Sequence, residues 1–120
     1  MNTKVRGDWG EALTADYLRK RGYVIVAAKY RCRFGEIDLI ARKGERLCFV
    51  EVKARSETEH GLPREFVTAA KQQKLRVTAQ YYLSTHRLDD APCRFDVCEI
   101  YGEPEREPDQ IRIEYIENAF

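Results

Sequence analysis

The chain has 120 residues, of which 43% are hydrophobic, and its 21 lysines and arginines nearly balance its 20 acidic residues, giving a formal net charge of +1. This composition predicts one domain over residues 1–120, and without an apolar run of about 18 residues or a signal-like leader we expect a cytoplasmic protein with no membrane span. The residues from Glu99 onward carry a net charge of −5 and those before it therefore +6, which favours either a nucleic-acid partner or a solvated basic surface.

Seven elements are predicted in the order helix, three strands, helix, two strands. The first helix runs from Asp8, a capping residue, to about Gly22, and the second begins near Pro63 and repeats apolar residues at helical spacing. The strands are rich in β-branched and aromatic residues. The predicted strands are 23–32, 35–44, 46–55, 93–102 and 111–120, and the second helix is 64–86. This order predicts an α/β domain whose mixed sheet is flanked by helices.

The four cysteines form no CxxC pair and lack the close spacing of zinc ligands. We expect reduced thiols that are buried as small apolar side chains, not a zinc site. They are Cys32, Cys48, Cys93 and Cys98.

Two charged residues, Glu51 and Lys53, interrupt the third predicted strand, RLCFVEVKAR. Alternate residues of a strand point the same way, so Phe49, Glu51 and Lys53 share one face. Asp38 lies in the neighbouring strand, and a hairpin can place its carboxylate beside that of Glu51. One interpretation is a solvated sheet face with ordinary ion pairs, each contributing about 0 to 1 kcal/mol.

The other interpretation of this face is a metal site. Two helices need apolar sheet surface to cover, which leaves little of either face open to water. Two carboxylates about 4 Å apart repel by roughly 4 kcal/mol at an effective dielectric near 20, and Lys53 alone cannot neutralise both. Crowded oxygen ligands favour Mg²⁺ or Mn²⁺ over Zn²⁺. The sequence therefore predicts a divalent-metal site at Asp38 and Glu51, with Glu11 or Glu36 as a further acid.

The same residues carry a resemblance to a known family. GEIDLIA followed by FVEVKAR resembles the D-x(n)-E-x-K core of the PD-(D/E)xK nuclease superfamily. The chain is particularly similar to the YraN-type family of small bacterial proteins and more distantly to archaeal Holliday-junction resolvases. The resemblance covers nearly the whole chain, including Gly10 and Glu11, the lysine-bearing second helix, RFDV and IENAF. It implies the restriction-endonuclease-like fold, a mixed sheet flanked by helices.

The resemblance also implies roles for the charged side chains. Asp38 and Glu51 would be metal ligands, and Lys53 would orient the attacking water or help to deprotonate it. Similar resolvases carry a helix-borne acid, which would make Glu11 a further metal ligand.

Glu11 and Glu36 are each open to a simpler interpretation. Glu11 lies in one helical row with Ala15 and Leu18 and can face the sheet, but the spacing Asp8-x-x-Glu11 also fits a capping box. Glu36 shares the face of Asp38 but lies near the start of its strand, where a solvated acid is ordinary.

Basic and amide side chains near the predicted site are candidates for phosphate contacts, and a solvated surface position explains any single one of them equally well. They are Arg31, Arg33, Arg55, Lys71, Gln73 and Lys74, with Arg42 and Arg64 as further arginines. Gln73 interrupts the predicted apolar row of the second helix, which is Phe66, Ala70, Val77 and Tyr81. The loop residue His60 is left out of catalysis.

Phosphodiester hydrolysis suits such a site, because a carboxylate-held Mg²⁺ can activate water and stabilise charge on the phosphate and the leaving oxygen. We expect a Mg²⁺- or Mn²⁺-dependent endonuclease that acts on DNA, including branched or structured DNA by analogy. The alternative is a nucleic-acid-binding or protein-interaction module that keeps the nuclease fold without turnover. A homodimer is also considered, because the last strand offers an apolar edge, although a position in the core explains the same residues equally well. They are Ile111, Ile113, Tyr115 and Ile116.

Overall fold

In the part of the chain that the structure describes, five strands form one mixed sheet, and two α-helices pack against its opposite faces. The computed structural model describes residues 3–55 and 67–120. The elements are α1 (Thr3–Arg19), β1 (Val24–Cys32), β2 (Gly35–Lys43), β3 (Arg46–Arg55), α2 (Ala69–Thr85), β4 (Cys93–Tyr101), a short 3₁₀ helix (Pro108–Gln110) and β5 (Arg112–Ile116). The α/β class and the predicted order of elements are confirmed. Within the described ranges no helix is long and apolar enough to cross a membrane.

The strands are arranged across the sheet in their order along the chain, from β1 to β5. Neighbouring strands are antiparallel except for β3 and β4, which are parallel. A parallel pair needs a crossover that returns the chain to the same end of the sheet, and α2 lies in that crossover. Strands β1 and β5 are the two edges of the sheet.

The alternation of side chains divides the core into two layers. Val50 of β3 points towards α1, where it belongs to the same apolar cluster as Leu18. Phe49, the residue before it, points towards α2 and lies edge-on to the ring of Tyr82. Gly10 lets α1 approach β3 closely, since a Cβ at this position would lie 3.1 Å from the Cβ of Ala54.

Helix α1 begins at Thr3 and not at Asp8. Asp8 does not cap the helix, because its carboxylate forms ion pairs with Lys4 at 3.2 Å and with Lys29 at 2.6 Å. The capping-box interpretation of Asp8 and Glu11 is therefore wrong.

Helix α2 buries a different face from the predicted one. Its N-cap is Thr68, whose hydroxyl accepts a hydrogen bond from the Lys71 amide at 3.1 Å, and the predicted start near Pro63 lies outside the described residues. The buried residues are Leu75, Thr78, Ala79, Tyr82 and Leu83, whereas Ala70, Gln73 and Val77 are exposed. Lys71 heads the row that continues through Leu75 and Thr78, so it begins the face that is turned towards the sheet.

The end of the chain differs from the predicted strand. β5 ends at Ile116, and Asn118 turns the chain with a left-handed φ of 53°. The Ala119 amide then donates to the carbonyl of Phe95 at 2.7 Å, and Phe120 stacks on the ring of Phe95. The apolar residues expected at a dimer edge are half-buried and pack in this chain's own core: Ile111, Ile113, Tyr115 and Ile116. Their packing fits the core interpretation of these residues, and the homodimer stays a prediction.

All four cysteines are free thiols, but only two are buried. Cys48 and Cys98 lie in the core under α1, as predicted. Cys32 is half-buried at the end of β1, and Cys93 is exposed because it opens β4 at the rim of the sheet. The expectation of four buried thiols is wrong for these two.

Edge strand β1 is irregular. Its register with β2 shifts between Ile25 and Ala27, and Lys29 adopts a left-handed φ of 53°. The Nζ of Lys29 lies 2.8 Å from Oε1 of Glu11 on α1. The irregular strand thus brings a lysine to the predicted metal-site acid on the helix.

Candidate metal site

The two predicted carboxyl groups meet where β2 and β3 separate. The ladder between these strands ends at the pair Leu39–Val50. Beyond it, Oδ2 of Asp38 accepts a hydrogen bond from the Val52 amide at 2.8 Å, so a side chain replaces the missing backbone partner. Glu51 is only 8% exposed, and its carboxyl group is hydrogen-bonded to that of Asp38.

A lysine of the crossover helix reaches this pair. The Nζ of Lys71 lies 2.8 Å from Oε2 of Glu51, and its side chain is 40% exposed against 9% for the glutamate. Lys53 shares the face of Glu51 on β3 and is close enough to exchange a hydrogen bond with Lys71. Among the described residues, the site therefore contains two acids and two lysines from three elements.

The two carboxyl groups share one proton. Burial raises the pKa of Asp38 to about 8, and the hydrogen bond and negative charge of Glu51 act in the same direction. Burial alone would raise the pKa of Glu51 as well, but the hydrogen bonds from Asp38 and Lys71 outweigh it and lower that pKa. At neutral pH Asp38 is thus the protonated partner, because Glu51 pairs with the ammonium group of Lys71, whereas Asp38 accepts a hydrogen bond from the Val52 amide.

The two lysines also differ in their electrostatics. Burial and the neighbouring Lys71 lower the pKa of Lys53, although the charge of Glu51 opposes this change. Burial lowers the pKa of Lys71 too, but its hydrogen bonds with Glu51 and Lys53 and the negative charges of Glu51 and Asp38 together outweigh burial and raise that pKa. Lys71 is therefore the firmly charged partner of Glu51, and Lys53 is the lysine that loses its proton more easily.

The carboxyl pair fits a divalent cation that takes most of its ligands from water and substrate phosphates. In the described ranges, 3–55 and 67–120, no group of three or more His, Cys, Asp or Glu residues is arranged to hold a metal ion. Mg²⁺ is commonly held by one or two carboxylates and completes its six ligands with water and substrate phosphates. Two touching carboxyl groups, both oxygen donors, match that requirement.

The structure does not bring Glu11 into this group. Its side chain is 16% exposed and pairs with Lys29, which also pairs with Asp8. The hydrogen bonds from Lys29 to Asp8 and Glu11 hold the pKa of this lysine well above its usual range. Glu11 does face the sheet, as its row with buried Leu18 predicts, and it acts on Asp38 as a nearby negative charge.

The residues predicted to contact phosphate differ in their burial and in their distance from the carboxyl pair. Arg55 is 8% exposed and lies 3.5 Å from Glu99 of the neighbouring strand, so its prediction as a phosphate contact is corrected, because its guanidinium is buried in the sheet. Arg42 lies at the far end of β2, near the hairpin, and does not flank the site. Arg64 and His60 lie outside the described residues. The remaining candidates, Arg31, Arg33, Gln73 and Lys74, are exposed, and Lys71 is half-buried.

A groove of about 580 Å³ lies beside the carboxyl pair, between the β1–β2 turn and the first turns of α2. Its walls include Arg31, Gly35, Glu36, Ala70, Lys71 and Lys74. Glu36 is exposed and pairs with Arg31 at 3.0 Å, so it faces the groove and not the carboxyl pair.

Sequence reasoning missed two contacts of the site. It assigned Lys71 to phosphate and not to Glu51, although the helical row Lys71, Leu75, Thr78 and Tyr82 indicates that this lysine faces the sheet. It also missed the pairing of Glu11 with Lys29, for which β1 gives no signal beyond the basic residues Lys29 and Arg31 among mostly apolar ones.

The motifs RFDV and IENAF lie away from the site, and hydrogen bonds to Asp96 hold them together. Asp96 is fully buried and accepts two hydrogen bonds from Arg94, at 2.8 and 3.0 Å. It also accepts one from the Tyr115 hydroxyl at 2.5 Å and one from the Asn118 amide at 2.9 Å. Burial and Asp96 raise the pKa of Tyr115, so the tyrosine keeps the proton that it donates.

Comparison with known proteins identifies the family of this chain but assigns it no activity. Residues 10–100 match the model of an uncharacterised protein family, UPF0102. A UPF0102 protein of Lachnoclostridium phytofermentans is 47% identical over 121 residues, which cover 100% of this chain and 96% of the relative. A UPF0102 protein of Syntrophus aciditrophicus is 46% identical over 95% of this chain and 87% of its own length, and one of Methylobacillus flagellatus is 45% identical over 98% and 97%.

Proposed function

This chain belongs to the uncharacterised protein family UPF0102, and from that premise we propose that it is a divalent-metal-dependent nuclease of the PD-(D/E)xK superfamily. The reaction is hydrolysis of phosphodiester bonds in DNA. The observation that carries the proposal is the contact between half-buried Asp38 and buried Glu51 at the point where β2 and β3 separate, with Lys53 beside them on the same strand as Glu51.

Each of these residues has a role in the proposed reaction. Asp38 and Glu51 provide the oxygen ligands for Mg²⁺ or Mn²⁺, which when bound would polarise the scissile phosphate and lower the pKa of a water molecule. Lys53 positions the attacking water and accepts a proton from it. Its lowered pKa supports this role, because a base is most effective when its pKa lies near the working pH.

DNA is proposed as the substrate because the groove beside the pair is lined by arginine and lysine side chains that suit a phosphate backbone. The extension to branched or structured DNA rests on the resemblance to Holliday-junction resolvases, which is a weaker argument than the site itself.

A specific observation favours the alternative, a nucleic-acid-binding or protein-interaction module without turnover. Within the described part of the chain the acidic pair lacks a third acid, and the acid expected there, Glu11, is neutralised by Lys29. A site with two carboxylates can bind nucleic acid with a bridging cation and still be too poorly organised for hydrolysis.

Cleavage of a DNA panel distinguishes the two functions. Linear duplex, single-stranded and four-way-junction DNA are incubated with Mg²⁺ and the wild-type protein, Glu51→Gln or Glu45→Gln. Glu45 is exposed in the β2–β3 hairpin, so Glu45→Gln is a control for the same chemical change away from the site. We expect cleavage by the wild type and the control and none by Glu51→Gln. Binding without cleavage by the wild type would support the alternative.

A further inference from the structure

The side chain of Lys71 forms part of both the carboxyl site and the neighbouring groove. Its Nζ contacts the buried carboxylate of Glu51 at 2.8 Å, and its side chain also forms part of the wall of the neighbouring groove. Its 40% exposure, against 9% for Glu51, shows that this side chain runs from the open groove to the buried acid.

The groove has fewer free positive charges than its residues suggest. Arg31 is paired with Glu36 at 3.0 Å, and Lys71 is paired with Glu51 at 2.8 Å. Lys74, one turn after Lys71, is exposed on the groove wall. In this arrangement two of the three basic side chains of the groove are paired with acids, which weakens their attraction for a phosphate.

The ammonium group of Lys71 occupies a position that a divalent cation at the carboxyl pair would also need. Both cations would contact Glu51, and two like charges a few ångströms apart repel each other. A lysine side chain has a long flexible stem that ends in three hydrogen-bond donors. The groove is open to solvent and lies next to Lys71, which forms part of its wall. A lysine that leaves Glu51 therefore enters the groove.

We propose that Lys71 exchanges between the two places: it neutralises Glu51 in the metal-free protein, and a divalent cation displaces it into the groove, where it binds a phosphate of a nucleic-acid strand. This inference rests on the proposed metal site. The groove, at about 580 Å³, has the volume of a small-ligand pocket, so it has room for one nucleotide of a nucleic-acid strand. Metal binding and nucleotide binding are then positively coupled through one side chain.

The coupling is tested with a ligand that has no internucleotide bond to cleave, thymidine 3′,5′-bisphosphate. Its affinity is measured by calorimetry with and without saturating Mg²⁺, and the affinity for Mg²⁺ alone is measured separately. We expect Mg²⁺ to increase nucleotide affinity in the wild type by about tenfold, within the usual range of coupling between two sites. Reciprocity requires the nucleotide to increase Mg²⁺ affinity by the same factor.

Two substitutions isolate the role of Lys71. Lys71→Met removes the competitor, so it should bind Mg²⁺ about tenfold more tightly and show a smaller Mg²⁺-induced gain in nucleotide affinity than the wild type. Lys74→Met is the matched control, since Lys74 also lines the groove, whereas the lysine that pairs with Glu51 is Lys71. It should weaken nucleotide binding equally with and without Mg²⁺ and leave Mg²⁺ affinity unchanged. A direct contact between the metal and the nucleotide is common to all three proteins and cancels in the comparison.

The outcomes separate this inference from the proposed function. Equal or weaker Mg²⁺ binding by Lys71→Met, or an equal Mg²⁺-induced gain in both proteins, overturns the exchange even if the wild type cleaves DNA. Mg²⁺ binding with the expected coupling but without cleavage ends the nuclease proposal and supports the exchange. A wild type that binds no Mg²⁺ ends both. If Lys71→Met fails to fold, Lys71→Arg keeps the cation and should keep wild-type Mg²⁺ affinity, and tighter binding by it contradicts the exchange.

Discussion

At neutral pH, Asp38 carries a proton in the folded, metal-free protein that it does not carry in the unfolded chain. Its pKa moves from an ordinary value of 3.8 to about 8 on folding, through burial and the adjacent Glu51. Between these two pH values the unfolded state loses this proton and the folded state keeps it. The contribution of Asp38 to stability is therefore fully present below pH 3.8 and is lost as the pH rises through about 8.

Asp38→Asn should remove this pH dependence. The asparagine amide imitates the protonated carboxyl group: its oxygen can accept from Val52 and its nitrogen can donate to Glu51. We expect the metal-free variant to melt close to the wild type near pH 4 and several degrees above it near pH 8, as measured by circular dichroism in EDTA. Asp16→Asn, at an exposed acid of α1, should show no such trend. A difference in melting temperature that stays constant with pH would contradict the shared proton.

Lys53 is the residue whose removal should separate binding from turnover. Lys53→Met keeps both carboxyl groups and removes one positive charge, so Mg²⁺ affinity should be retained or increased. Turnover should fall by about 10²- to 10⁴-fold, the usual contribution of a positioned base. The measurement is Mg²⁺ calorimetry together with cleavage of the most reactive DNA of the panel. Lys20→Met, at an exposed lysine just after α1, serves as the control, and a drop in turnover matched by an equal loss of Mg²⁺ affinity would argue against the assigned role.

At the scale of elements, the turn between β1 and β2 determines how closely α2 approaches the site. Gly35 has a φ of +153°, and a Cβ added there would lie 2.8 Å from the hydroxyl of Thr78 on α2. Thr78 is fully buried and donates to the carbonyl of Lys74, so it has no room to move. The glycine therefore sets the distance between the strand that carries Asp38 and the helix that carries Lys71.

Gly35→Ala should destabilise the protein more than Gly44→Ala does. Gly44, in the β2–β3 hairpin, also has a positive φ, +61°, but a Cβ there would meet nothing within 4 Å. Its substitution should cost only the backbone term, about 1–2 kcal/mol. Gly35→Ala adds the clash with Thr78 and should cost at least about 1 kcal/mol more. Urea denaturation measures both, and equal costs would show that α2 yields to the added methyl group.

Elements with a strong local pattern were predictable from the sequence. The alternation in RLCFVEVKAR correctly placed Phe49 towards one helix and Val50 towards the other. Boundaries set by distant residues were not predictable. Asp8 resembles a cap locally, but its carboxylate is used by Lys29 of another element, and α1 continues back to Thr3. The strand expected to reach the end of the chain stops at Ile116 because Asp96 holds the Asn118 amide.

The candidate site shows the same division. The proximity of Asp38 and Glu51 follows from strand periodicity and one hairpin, both of which can be read from nearby residues. The partner of each acid could not be read in this way, because Lys71 and Lys29 come from elements whose contacts depend on the packing of the whole sheet. The burial of Arg55 beside Glu99 likewise depends on which strand lies next to β3.

At the scale of the whole molecule, metal binding should appear as thermal stability. A ligand that binds only the folded state at a hundred times its Kd stabilises that state by about 2.7 kcal/mol, which for a domain of this size raises the Tm by about 10 °C. We expect this rise with Mg²⁺ for the wild type and for Glu45→Gln, and no rise for Glu51→Gln. Differential scanning calorimetry over a series of Mg²⁺ concentrations gives the result. A wild-type Tm that does not respond to Mg²⁺ would leave only the ion-pair interpretation of the site.

The irregular edge strand β1 also bears on how the protein behaves at high concentration. A regular edge strand presents a repeating row of backbone donors and acceptors that can recruit another chain and start aggregation. In β1 the register shift after Ile25 and the left-handed Lys29 interrupt that row, and Lys29 places a charge on it, although Val24 and Val26 expose apolar surface nearby. The irregular backbone that brings Lys29 to Glu11 therefore also protects the β1 edge of the sheet from self-association.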